Sequence, residues 1–284
     1  MKLFHSVVIL ILSCLLFGCV REDLVKIKPQ ADTEKLVVFG FLTPGKPVYI
    51  RIGRTQPFGS GMYDADNFHV TGATVSISNA DGKTEQLQAV KGERGLYSIP
   101  QSAFPIKNGE TYHLQVESPA LKTVTASTTI PTEKAVWGNV MVSGYMDESY
   151  GGLIYELYGN WKSISNTGDV DYGVAVIYPG NEGRGLQYEN EGIIPVGNEY
   201  TVKRDIFFSG NTSIQAVLVT RDKYYGEFSK VAQLTTDVLN YYHNAVFADI
   251  ISGFKGVIPQ GSNIEDGLGV FGSYLTDTKT LYKN

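Results

Sequence analysis

The sequence predicts a mainly β protein, and three observations carry that prediction. Beyond residue 35, short runs of β-branched and aromatic residues recur roughly every eight to twelve positions, broken by Gly, Pro, Asn and Asp. Within the clearest runs apolar and polar side chains alternate with a period of two, which buries one face of a strand and wets the other. The chain also holds 18 Tyr and 13 Phe against two Trp, residue types that suit pleated, half-buried surfaces.

The first series of candidate strands is Leu36–Leu42, Val48–Thr55, Ala73–Ser78, Thr84–Val90, Gly95–Ile99, Tyr112–Glu117 and Val124–Thr129. In the third, Ala73, Val75 and Ile77 share one face and hydroxyls take the other. In the sixth, Tyr112, Leu114 and Val116 oppose His113, Gln115 and Glu117. Between the third and fourth runs, Asn79-Ala80-Asp81-Gly82 supplies an Asp-Gly pair able to take the positive φ of a tight hairpin. About seven strands with regular turns predict an immunoglobulin-like or transthyretin-like β-sandwich over residues 35–131.

Longer runs follow at Val136–Gly144, Leu153–Ser165, Asp171–Tyr178, Glu199–Ser209 and Thr212–Arg221, and predict a second β-rich domain over residues 132–284. A helical segment interrupts it near residues 222–252. There the chain has no proline and only Gly226, and Val231, Leu234, Val238, Leu239, Tyr242 and Val246 recur at spacings of three and four. Asp237 is placed to cap a second helix within that stretch. The tail, with Gly253, Gly256, Gly261, Gly267, Gly269 and Gly272, is expected to return to turns and short strands. These glycines match neither the P-loop nor the dinucleotide-binding spacing.

The first eighteen residues hold Lys2 and then an apolar run from Val7 to Phe17, much shorter than the roughly 20 residues of a membrane-spanning helix. Residues 1–18 therefore read as a secretion signal. They end in Leu16-Phe17-Gly18-Cys19, which resembles the bacterial lipobox. That resemblance implies that Cys19 becomes the N-terminus and carries acyl chains, each buried methylene contributing about 0.8 kcal/mol to anchoring. Residues 19–34 are polar and contain Pro29, and are expected to act as a lipidated tether. Glu22 and Asp23, just after the lipidated cysteine, resemble the signal that carries Bacteroidota lipoproteins to the outer face of the outer membrane.

Composition closes several routes to chemistry. The chain's two cysteines are Cys14 and Cys19, so loss of the leader and lipidation leave a domain with no disulfide, thiol nucleophile or thiolate metal site. Net charge is -5, and removal of Lys2 makes it one unit more negative. No Lys/Arg cluster suited to phosphates is present, so nucleic acid is not an expected partner. His69, His113 and His243 have no metal spacing, and there is no Gly-x-Ser-x-Gly elbow. Oxygen donors cluster at Tyr63-Asp64-Ala65-Asp66-Asn67 and Asp147-Glu148, but the EF-hand pattern fails at His69 and Val75. Glu265-Asp266 would serve glycoside hydrolysis only with a second acid about 5 to 10 Å away. No cofactor, metal site or catalytic residue is expected. Loop aromatics are the expected binding residues: Phe58, Tyr63, Phe68, Tyr145 and Tyr150.

Three groups of residues together carry a family resemblance. The opening is Lys35-Leu36-Val37-Val38-Phe39-Gly40 with Val48-Tyr49-Ile50-Arg51 and Val70-Thr71-Gly72-Ala73-Thr74-Val75. The middle is Gly95-Leu96-Tyr97, Asn108-Gly109-Glu110-Thr111-Tyr112-His113-Leu114 and Ala126-Ser127-Thr128-Thr129-Ile130-Pro131. The close is Ser262-Asn263-Ile264-Glu265-Asp266-Gly267-Leu268-Gly269. This pattern resembles a Bacteroidota lipoprotein family catalogued as domain of unknown function 4249, over nearly the whole mature chain. It departs at Asp266, where the family pattern has glycine, which bears on the conformation of that loop. The family is often encoded beside TonB-dependent receptors. The resemblance implies a non-catalytic outer-membrane lipoprotein, exposed at the cell surface or, as the alternative, on the periplasmic face, that assists such a transporter in nutrient capture. Its expected partners are the membrane, the receptor, and a small-molecule, peptide or glycan ligand. The alternative is a structural or adhesive fimbrial-type surface protein, and after it a surface hydrolase.

Overall fold

The computed structural model describes residues 34–55, 68–147, 152–164, 170–177, 189–192, 199–206, 212–226 and 262–283. The leader, Cys19, the tether, Phe58, Tyr63, Tyr150, His243 and residues 227–252 of the expected helical stretch lie outside them. Of that stretch, Asp222 ends a strand and residues 223–226 form one helical turn.

Eight strands come from the first half: β1 (Leu36–Leu42), β2 (Val48–Arg54), β3 (Thr74–Asn79), β4 (Thr84–Gln86), β5 (Gln88–Ala89), β6 (Leu96–Ile99), β7 (Thr111–Glu117) and β8 (Val124–Thr129). The run expected at Thr84–Val90 is split at Leu87, which is buried and whose N–H donates to the Val75 carbonyl. From the second half come β9 (Trp137–Asp147), β10 (Gly152–Lys162), β11 (Val170–Ile177), β12 (Glu189–Gly192), β13 (Glu199–Ile206), β14 (Ser213–Asp222) and β15 (Leu268–Tyr282). The chain is thus mainly β, and its pairings are antiparallel except where β1 runs parallel to β15.

One eight-stranded sheet, in the order β12-β11-β14-β15-β1-β2-β6-β5, is the frame on which two smaller sheets rest. The pairing registers put Val38, Phe271, Leu218 and Val174 on one face of it. That face buries two cores. Under the four-stranded sheet β4-β3-β7-β8 the core is largely aliphatic, with Val75, Ile77, Leu114, Val116 and Val124 packed against Val38, Ile50 and Phe271. Under the three-stranded sheet β13-β10-β9 it is more aromatic, with Trp137, Trp161, Tyr155 and Tyr172 around Leu157 and Leu218. On the opposite face Phe39, Phe41, Val217, Val219, Tyr225 and Tyr274 form a third core.

The expected tail of turns and short strands is corrected by β15, a fifteen-residue strand paired with β14 on one side and β1 on the other. Its glycines are there because neighbours come close. At Gly269 φ is +114, and a Cβ would overlap the Val38 carbonyl oxygen. The strand serves both halves: residues 268–273 pair with β1, and residues 274–282 pair with β14. Residues Thr33–Asn284 cluster as one unit. The boundary expected at 131/132 falls where the chain passes from the four-stranded to the three-stranded sheet, and the eight-stranded sheet runs across it.

Candidate functional site

Alternation on β3, β7 and β8 sends one phase into the aliphatic core and leaves the other facing out. Tyr112, Leu114 and Val116 are buried, while His113, Gln115 and Glu117 are exposed; Val124 and Ala126 are buried, while Thr125 and Ser127 are exposed. Register then builds two rows across the strands. Ser76 lies opposite Gln115 and Gln115 opposite Thr125, and Ser78 lies opposite His113 and His113 opposite Ser127.

A strap at 262–266 extends both rows beyond the β8 edge. The Glu265 N–H donates to the Thr125 carbonyl at 2.8 Å, and the Thr125 hydroxyl donates to the Glu265 carboxylate at 2.8 Å. Asn263 fixes the strap. Its amide donates to the carbonyls of Ser127 and Phe271, and its side-chain oxygen accepts the Phe271 N–H. At the end of the strap Asp266 has φ +62, the one non-glycine left-handed residue among those described, and its carboxylate pairs with Lys122 at 2.5 Å. The departure from glycine noted in the sequence therefore falls on a position whose backbone favours glycine, and Asp is among the few residues that tolerate it.

Strands and strap enclose a groove of about 640 Å³, with Tyr224 also contributing to its lining. That volume lies in the range of about 300–1,000 Å³ usual for small-ligand sites. Its exposed lining is hydroxyl, amide, imidazole and carboxylate. Ile77, Leu114 and Ala126 reach it only from a floor whose side chains belong to the core.

A second cluster of functional groups is buried where the β8 and β14–β15 strands meet. Asp222 accepts the hydroxyl proton of Thr128 and the N–H of Tyr225 at 2.8 Å. The Ser273 N–H and hydroxyl also stand near enough to favour its charged form, the hydroxyl donating to the Thr129 carbonyl at 2.9 Å. Burial pushes its carboxyl from 3.8 up to about 6, against the downward pull of these donors. On the opposite face of the sheet Arg221 pairs with Asp171 at 3.2 Å, both fully buried, and the Tyr225 ring lies 5.7 Å from the guanidinium. Buried, paired groups of this kind fix strands relative to one another; none of them lines the groove.

Of the expected binding aromatics, Phe68 and Tyr145 are among the described residues, and neither lines the groove. Phe68 is 3% exposed, and its ring fills the space over Gly53, edge-on to His69, so it offers no surface to a ligand. Tyr145 stands on β9, on the outer face of the three-stranded sheet, 39% exposed. His113 is the one expected-solvent histidine that the groove takes up. Among the described residues no group of three or more His, Cys, Asp or Glu is placed to hold a metal, and no helix is long and apolar enough to cross a membrane. Alternation in the sequence separates Gln115 from the core face but does not join it to Ser76, Thr125 and Ser127. The available signal was their shared outward phase.

Comparison with known proteins adds the family. The profile of a family described as "Domain of unknown function" (DUF4249) matches residues 22–280. The chain belongs to this family. None of the curated proteins matches its sequence. Among solved structures it is similar to the FN1-FN3 domains of chicken CNTN1, at 11% identity and a TM-score of 0.20 over 87% of this chain and 64% of that one. It is similar also to a tetra-tandem repeat in the extending region of a large adhesion protein, at 10% identity and a TM-score of 0.23 over 89% of this chain and 50% of that one. The chain thus spans less than two thirds of the length of either.

Proposed function

We propose that this member of the family is a non-catalytic lipoprotein, held at the outer membrane of a Bacteroidota cell by acyl chains on Cys19, that binds a ligand on behalf of a TonB-dependent transporter. The observation that carries the binding role is the groove of about 640 Å³, whose lining sets side chains able to hydrogen-bond in two rows across the strands. Leu16-Phe17-Gly18-Cys19 supports the anchor, and Glu22 and Asp23 support export to the surface. A fimbrial role draws less support, because β15 is held within its own sheet along its whole length, by β1 over residues 268–273 and by β14 over residues 274–282.

Deleting the gene in its host is expected to lower uptake through one TonB-dependent receptor. A wild-type copy restores it, and a Cys19→Ala copy, which cannot be acylated, does not. Unchanged uptake through every such receptor would sink the role. Mass spectrometry of the native protein should find diacylglyceryl on Cys19, and an unmodified N-terminus would remove the anchor. Purified protein offered glycans and peptides is expected to bind without turnover.

A further inference from the structure

We propose that the groove over β3, β7 and β8 takes a neutral, polyhydroxylated ligand, a saccharide chain; the inference names the ligand class for the site proposed above and rests on that reading. Four ligand chemistries can be weighed against the lining. An anion would need a cation. Among the described residues the lining holds no Lys or Arg and carries the carboxylate of Glu265. Lys122 is paired with Asp266, and Lys223 stands over the Tyr224 ring at 5.1 Å; neither lines the groove.

An extended peptide would add as a strand to a free edge, using main-chain hydrogen bonds. The β8 edge is bridged by the strap, since the N–H of Glu265 donates to the carbonyl of Thr125, and the β4 edge offers only the three residues Thr84–Gln86. An apolar ligand would need apolar walls, but Ile77 and Leu114 are turned into the core at 0% and 2% exposure.

A saccharide fits what remains. The hydroxyls of Ser76, Ser78 and Ser127 can each donate or accept, as can the amide of Gln115 and the imidazole of His113, which matches a ligand whose hydroxyls do both. Glu265 adds an acceptor at the end of one row. Tyr224 also borders the groove. Neighbouring strands lie about 4.8 Å apart, so the rows repeat a hydrogen-bonding group at that interval from β3 to the strap. The lining is therefore longer than one sugar ring and periodic, which favours a chain over a monosaccharide.

The test is calorimetric titration of the detergent-solubilised full chain with four neutral hexasaccharides: malto-, cello-, xylo- and mannohexaose. At least one is expected to bind with one-to-one stoichiometry. Gln115→Leu should weaken that binding about tenfold, as expected for the loss of one or two hydrogen bonds. Ser127→Trp, which fills the groove from an exposed position, should abolish binding with an unchanged melting temperature. Tyr158→Ser, on the other small sheet, should leave binding as it is. Failure of all four sugars to bind overturns the proposal, as does binding that is lost in Tyr158→Ser and kept in Ser127→Trp. If sugars fail while uptake still depends on Cys19, the ligand class falls and the transporter role stands. If a sugar binds and uptake is independent of the gene, the role falls and the ligand class stands.

Discussion

The two small sheets rest side by side on the same face of one large sheet, yet their surfaces are opposites. The four-stranded sheet covers an aliphatic core and turns Ser, Thr, Gln and His outward. The three-stranded sheet covers a core in which Trp137 and Trp161 meet edge to face at 5.7 Å, and it turns Met141, Tyr145 and Tyr158 outward. Their attachments differ as well. The first is tied by side chains, Thr128 to Asp222 and Ser273. The second is tied through backbone donors, the N–H of Ala135 to Thr220 and that of Trp137 to Asp277, with Lys134 closing on the same carboxylate. One frame thus carries a polar outward surface on one small sheet and exposed Met141, Tyr145 and Tyr158 on the other, because the outward phase of a strand is free of the packing that fixes its inward phase.

The largest effect should come from breaking what the two sheets share. Gly269 holds β15 against β1 at φ +114, with the Val38 carbonyl in the place of a Cβ. Gly269→Ala therefore combines a disfavoured backbone with an overlap against main chain, and should cost about 4 kcal/mol or more. Gly45 has φ +86 but open space around it, so Gly45→Ala should cost only about 1 kcal/mol. Urea titration of both variants checks the contrast. Equal losses would mean that the close approach of β15 to β1 contributes nothing.

An intermediate effect should appear at the seam of the four-stranded sheet alone. The carboxyl of Asp222 titrates at about 6 in the folded chain against 3.8 unfolded. A raised acid favours folding in its protonated form, so its contribution is fully present below about pH 4 and is lost as pH rises through about 6. The span is about 3 kcal/mol. Asp222→Asn keeps the shape and removes the titration. The stability of wild type minus that of the variant should therefore fall by about that amount from pH 4 to pH 7, and a flat difference would refute it.

How much of this was legible in the sequence depends on the range of the forces involved. Alternation fixed the inward and outward phases of β7 and β8, because side-chain direction is local. It could not pair β15 with β1, since that contact joins residues more than two hundred apart and its glycines look like loop glycines until Val38 and Tyr225 are beside them. Arg221 ends an apolar run and reads as a strand terminus, and Asp222 reads as the start of the helical segment, although both are buried by partners on other strands. The groove stayed hidden for the same reason: Ser76, Gln115, Thr125 and Glu265 become neighbours only through register and through a strap from the far end of the chain. Phe68 misled because an aromatic beside a glycine-rich stretch looks like a loop anchor, whereas it fills the space that Gly53 leaves.

The smallest effect should come from exchanging the two outward surfaces. Met141 is 56% exposed and Tyr158 39%, and they stand opposite each other across β9 and β10. Replacing both by Ser removes apolar area that is already wet, so stability should change by no more than about 0.5 kcal/mol. Gln115→Leu makes the reverse exchange on the four-stranded sheet within the same limit. The surfaces themselves should respond in opposite directions: the double variant should lower the fluorescence of a hydrophobic dye bound to the native protein, and Gln115→Leu should raise it. If both variants left dye binding unchanged, the contrast between the sheets would be one of composition without consequence for what each can hold. If the double variant instead lost several kcal/mol, Met141 and Tyr158 would be structural, and the apolar face would belong to the fold.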